Sequence, residues 1–152
     1  MARVYLEVEL DWALPPEDVW KALVDWPSHG DWIPATSVRM EEVTRGSGTR
    51  FVARTWVGPL PMDDHMTVTR FDPAERTAHV EKTGPFLVGT AGFEVRAAAQ
   101  GCQLWWFEDV HVPGLPSWCS GVAAAVGRVA FRLAFWRLHR LLLARRNADH
   151  RG

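Results

Sequence analysis

The chain has 152 residues, 47% of them hydrophobic, with nine tryptophans, seven phenylalanines and a formal net charge of -1. Its 17 lysines and arginines nearly balance 18 acids, which argues against nucleic acid as a partner, because phosphate binding needs a clear positive excess. The length suffices for one sizeable core, and residues 1–152 are read as a single domain.

Val4, Leu6, Val8, Leu10 and Trp12 alternate with Arg3, Tyr5, Glu7, Glu9 and Asp11, which predicts a half-buried strand. Such alternation from the first residues is unlike a signal peptide. Cys102 and Cys119 lack metal spacing, so they are read as reduced thiols and the protein as cytoplasmic. Leu14-Pro15-Pro16-Glu17-Asp18 starts a helix, with proline and acids where a first turn favours them. Val19, Trp20 and Leu23 form its apolar stripe, Pro27 ends it, and Ser28 to Trp32 form one further short helical turn.

From Thr36 onward, turn residues at 46–48, 58–61, 72–73, 84–85 and 100–101 separate strands near 36–44, 48–57, 62–71, 76–83, 86–98 and 101–112. Pro116 to Arg146 then reads as one long amphipathic helix. Trp118, Val122, Val126, Val129, Leu133, Trp136 and Arg140 recur at its period and are assigned to the face that the sheet buries. Gly121, Ala123, Ala124, Ala125 and Gly127 leave little bulk in the first half of this helix, which leaves space for a ligand. Arg128, Arg132 and Arg137 interrupt the ~20 apolar residues that a membrane span requires. Since the aromatic face is needed for the fold, the arginines are read as solvated and membrane contact as the weaker reading.

The order is one strand, two short helices, six strands in a meander and a closing helix. In that order, Pro15 to Leu23 followed by Trp32-Ile33-Pro34, then Gly48 to Phe51, Val68 to Pro73, Gly92 to Val95 and Glu108-Asp109 resemble the START-related, SRPBCC or polyketide cyclase/dehydrase-like superfamily. The resemblance spans nearly the whole chain. It implies an α+β helix-grip fold: a seven-stranded antiparallel curved sheet wrapped around the long C-terminal helix, two short helices between strands 1 and 2, and a hydrophobic cavity between sheet and helix.

Strand phase selects the residues expected to face that cavity. Phe93 opposes Glu94; Leu104, Trp106 and Glu108 share a face; Phe51, Ala53, Thr55 and Val57 share another; and Met62, Met66 and Val68 share theirs with Asp64. The candidate ligand-binding residues are Phe51, Met66, Phe93, Trp106, Glu108, Trp118, Val122 and Val126. Glu108 and Asp64 stand as isolated acids in an apolar wall. A carboxyl group beside Trp106 would have its charged form disfavoured, and such a raised pKa is what a general acid or base near neutral pH requires, so Glu108 is the catalytic candidate, or equally a group that binds a ligand hydroxyl without chemistry. The bland alternative is a solvated Glu108, or one paired with an arginine of the closing helix.

Six histidines never fall at metal-ligand spacing, and no glycine pattern matches a phosphate or dinucleotide fingerprint, so neither a metal nor a cofactor is expected. Two readings remain. One is a protein that binds a hydrophobic small molecule, such as a lipid, isoprenoid quinone or polyketide. The other, implied by the resemblance, is a cofactor-independent cyclase or dehydratase acting on a bound polyketide; against it stands the single tyrosine, Tyr5, in outward phase. The fold alone does not choose, since it hosts carriers, sensors and enzymes.

Overall fold

The N-terminal alternation forms strand β1 (Ala2–Trp12), whose even-numbered residues turn inward while Arg3, Tyr5, Glu7, Glu9 and Asp11 face solvent. In this computed structural model, which describes residues 1–152, α1 (Pro16–Val24) follows β1. Pro16 sits at its first turn with Glu17 and Asp18, where a missing N–H costs nothing and negative charge meets the positive end of the helix. The helix stops at Val24, ahead of Pro27; Trp26–Ser28 forms a 3-10 turn that leads into α2 (His29–Trp32).

Six strands then run as a meander: β2 (Thr36–Glu42), β3 (Arg50–Val57), β4 (Leu60–Asp72), β5 (Thr77–Pro85), β6 (Val88–Ala98) and β7 (Gly101–Val112). Every pairing is antiparallel, and the sheet order is β1-β7-β6-β5-β4-β3-β2. The segment containing α1 and α2 therefore carries the chain from one edge of the sheet to the other. Register shifts between Asp64 and Met66 and between Val68 and Arg70 bend β4. The second shift changes the side-chain phase, so Val68 and Phe71 both join the core.

A second 3-10 turn (Ser117–Cys119) opens the closing helix α3 (Ser120–Asp149). The helix grips the concave face through Ala134, Phe135, Leu138 and Leu142, all buried in the main apolar cluster with Leu6, Val8 and Trp12 of β1. Phe135 stacks on Trp32 at 5.6 Å and meets Trp12 edge-on at 6.4 Å. Further up, Ala124 packs against Val4 and Val110.

This inward face corrects the assignment made from periodicity. Trp118, Val122, Val126, Val129, Leu133 and Trp136 point away from the sheet and are between 50% and 83% exposed. The helix carries two apolar stripes at the same period, and the stripe with Phe131, Phe135, Leu138 and Leu142 is the one that faces in. Phenylalanine and leucine reach into a concave sheet where valines would leave voids. Periodicity identifies a stripe but not its partner.

Candidate functional site

The sheet curves away from the middle of α3 and leaves a cavity of about 380 Å³. Period-two alternation supplies its walls: Phe51, Ala53 and Thr55 from β3, Met62, Asp64 and Met66 from β4, Val80 and Lys82 from β5, Ala91 and Phe93 from β6, and Trp106 and Glu108 from β7. Gly127, Ala130 and Phe131 of α3 close one side, and Trp26 and His29 close one end. Phe93 and Trp106 stack nearly parallel at 5.5 Å across β6 and β7, and Trp26 stacks on Phe51 at 5.0 Å. At the mouth, Val57, Phe86 and Ala130 border the cavity and are themselves exposed.

Of the residues proposed from strand phase, Phe51, Met66, Phe93, Trp106 and Glu108 stand on this wall. Trp118, Val122 and Val126 do not, because they belong to the outward stripe of α3. Within the small-residue segment Ala123 to Gly127, only Gly127 borders the cavity. Glu108 and Asp64 face inward, yet they are not isolated. Lys82 Nζ lies 2.7 Å from Asp64 Oδ2 and 3.0 Å from Glu108 Oε2.

Lys82 was not foreseen, although it carried a signal. Ala78, Val80 and Lys82 share one phase of β5, which places a lysine on a strand's apolar face. A lysine there is almost never fully buried without a partner. His29 was also missed. Its ring is buried between Trp26 and Trp32, at centroid distances of 5.4 and 4.9 Å, and Nε2–H donates to the Leu23 carbonyl at 2.7 Å.

The electrostatics follow from burial. The low-dielectric surroundings of Glu108 push its pKa up, against the pull of the Lys82 ammonium. Burial also works against the charge on Lys82, but the carboxylates of Glu108 and Asp64 outweigh it and hold the ammonium pKa above its ordinary value. His29 is pushed down to about 4 by desolvation, so it stands neutral at pH 7. The triad sets one cation against two carboxylates, and Glu108 is the member poised to take up a proton.

Two residues of the cavity wall each hold a fully buried polar atom with no hydrogen-bond partner in the protein: Asp64 Oδ1, an acceptor, and Trp106 Nε1, a donor. A buried polar atom left unpaired costs about 1–3 kcal/mol.

Many solved structures resemble this fold, three of them as follows. The crystal structure of Ara h 8.0201 superposes with a TM-score of 0.73 at 20% identity, covering 94% of this chain and 99% of that one. The ZhuI aromatase/cyclase from a Streptomyces species gives 0.71 at 16% identity, covering 94% of this chain and 93% of that one. Protein CV1439 from Chromobacterium violaceum gives 0.71 at 12% identity, covering 91% of this chain and 97% of that one. At these identities the likeness is one of fold. No curated protein matches the chain significantly. The profile of one family, described as polyketide cyclase / dehydrase and lipid transport, matches residues 1–142, and with the helix-grip architecture this places the chain in that family.

Proposed function

We propose that this protein binds a hydrophobic small molecule of the lipid, isoprenoid quinone or polyketide-like class, with the ligand's polar end directed at Lys82, Asp64 and Glu108. The observation that carries the reading is an apolar cavity whose polar groups converge at one place. An apolar cavity with a few placed polar groups is the ordinary constitution of a small-molecule site. A hydroxyl group, which both donates and accepts, is complementary to this cluster of one ammonium and two carboxyl groups. Phe51, Met66 and Phe93 supply the apolar contact. A single domain in a reducing, cytosolic setting belongs to the same reading, supported by the two free thiols Cys102 and Cys119.

The test is displacement of a fluorescent apolar probe by paired ligands that differ only by a hydroxyl group. The hydroxylated member should bind more tightly to the wild type, and Asp64→Asn or Glu108→Gln should reduce that preference. A ligand in hundredfold excess over its dissociation constant should stabilise the fold by ~2.7 kcal/mol. A panel of fatty acids, quinones and aromatic polyketides that neither displaces the probe nor shifts the melting curve would reject the reading.

A second reading is favoured by one observation, a buried carboxyl group on the cavity wall, Glu108, 3.0 Å from the Lys82 ammonium. Glu108 as general base and the Lys82 ammonium as an electrostatic partner for a developing enolate would suit a cofactor-independent cyclisation or dehydration of a bound polyketide. The Glu108→Gln variant separates the two readings. It binds with altered affinity in either case, and it loses turnover only if the chemistry takes place.

A further inference from the structure

The outward stripe of α3 is an apolar surface without a partner in this chain. Trp118, Val122, Val126, Val129, Leu133 and Trp136 form it, all at least 50% exposed. The helical stretch Ser117–Asp149 is long and apolar enough to cross a membrane by length and composition, and little of its apolar part is buried. Helix faces turned to water ordinarily carry charge of both signs. This one does not, since no acid occurs between Asp109 and Asp149.

Arginines border the stripe. Arg128 and Arg132, one turn apart, lie along one edge, and Arg137 lies along the other. Arg140 continues it beyond Trp136, its guanidinium 5.0 Å from the centre of the indole ring. None of these four, nor Arg145 and Arg146, forms an ion pair, whereas every arginine ahead of Asp109 except Arg45 does. Apolar side chains ringed by unpaired arginines and capped by tryptophans at both ends suit the headgroup region of a bilayer, where rings and aliphatic stems sink in and guanidinium groups meet phosphate.

The helix does not have to cross a membrane to do this. Its opposite face is committed to the core through Phe135, Leu138 and Leu142, so it can lie along an interface but not leave the sheet to span one. A second copy of the chain is the poorer occupant, because helix against helix would bring the same unpaired arginines together. The stripe also adjoins the cavity mouth. Val126 precedes Gly127 and stands one turn before Ala130, both of which border the opening, while Val57 and Phe86 present exposed apolar side chains across it.

We propose that the outward face of α3 docks the protein on anionic bilayer surfaces, with the stripe from Trp118 to Trp136 inserted at headgroup depth, the flanking arginines on lipid phosphates, and the cavity mouth beside the membrane. The inference rests on the helix surface and stands whether the cavity carries a ligand or transforms one.

The experiment is co-sedimentation of the full chain with vesicles of phosphatidylcholine alone and of phosphatidylcholine mixed with phosphatidylglycerol. Sedimentation with the mixed vesicles only, weakened by added salt, is the expected result. Replacing Arg128, Arg132 and Arg140 together by Gln should weaken binding by about two orders of magnitude, at roughly fivefold for each interfacial cation. Val129→Ser with Trp136→Ser should weaken it at unchanged charge, which distinguishes insertion from mere adsorption. Equal sedimentation with both vesicles, none with either, or indifference of wild-type binding to salt overturns the proposal, and these readings need no variant. A dimer in sedimentation velocity that Leu133→Glu dissociates, without vesicle binding by the wild type, assigns the face to a second copy instead and equally overturns it.

Discussion

Glu108 on β7 reaches over β6 to Lys82 on β5, its Oε2 3.0 Å from the ammonium nitrogen. The strand between them permits this, because the β6 residues opposite Glu108 and Lys82 are Ala91 and Gly89, neither of which raises a side chain of any size into the gap. Asp64 completes the cluster from β4, where a register shift follows it. The triad therefore links β4, β5 and β7 on the cavity wall, and its charges answer one another more than they answer solvent.

Lys82→Met should be severely destabilising. It removes the only cation from a pocket holding Asp64 and Glu108, and breaking a buried pair on one side costs about 3–5 kcal/mol. Adding Asp64→Asn and Glu108→Gln to that variant should recover most of the loss, which urea denaturation of the single and triple variants would measure. If Lys82→Met alone is as stable as the wild type, the triad is not a structural unit.

Glu108→Gln should cost little, within about 1 kcal/mol, because Lys82 keeps its hydrogen bond to Asp64 at 2.7 Å. The pH dependence carries more information. Burial raises the pKa of Glu108, so from the ordinary value of 4.5 upward the folded state holds a proton that the unfolded state has released. Its contribution to stability is complete below that value and is lost as pH rises through the folded pKa. The stability difference between wild type and Glu108→Gln should thus move against the wild type as pH rises through that window.

His29 should act in the opposite direction. Its pKa is pushed down from 6.5 to about 4, so between those values the unfolded chain binds a proton that the folded protein refuses. Stability is fully present above pH 6.5 and falls by up to about 3 kcal/mol as pH drops toward 4. His29→Gln, whose amide N–H can still donate to the Leu23 carbonyl, should remove this dependence. Chemical denaturation of both proteins across this pH range would show a gap that widens with pH; parallel curves would count against a buried neutral imidazole.

Filling the cavity should separate binding from stability. Ala53→Phe places a ring in open space on the cavity wall, so it should weaken binding of an apolar probe roughly tenfold or more. It should avoid the ~1–3 kcal/mol that overpacking costs in a filled core. Val126→Trp, on the outward stripe, should change neither probe binding nor the melting temperature. Titration and thermal melts of the two variants side by side would test this, and the reverse pattern would put the cavity on the wrong side of α3.

Much of this architecture is legible in the sequence because its causes are local. Turn residues such as Gly58-Pro59 and Asp72-Pro73 interrupt strands at regular spacing, and period-two alternation tells which residues share a face. Phe51, Met66, Phe93, Trp106 and Glu108 could therefore be placed on one wall without coordinates. The inward face of α3 could not. Its two stripes have the same period and similar apolar character, and only the concave sheet, with Trp12 and Trp32 positioned to meet Phe135, decides which is buried.

The triad was hidden for a related reason. Lys82 lies 18 residues from Asp64 and 26 from Glu108, and nothing in the chain between them marks a pairing. Its place on the apolar phase of β5 is visible in the sequence. Its partners are not, because strand register, the bend in β4 and the small residues of β6 together bring the three side chains to one point. Alternation is a property of neighbouring residues and survives in a one-dimensional reading, whereas convergence of charges depends on distances that only the folded sheet creates.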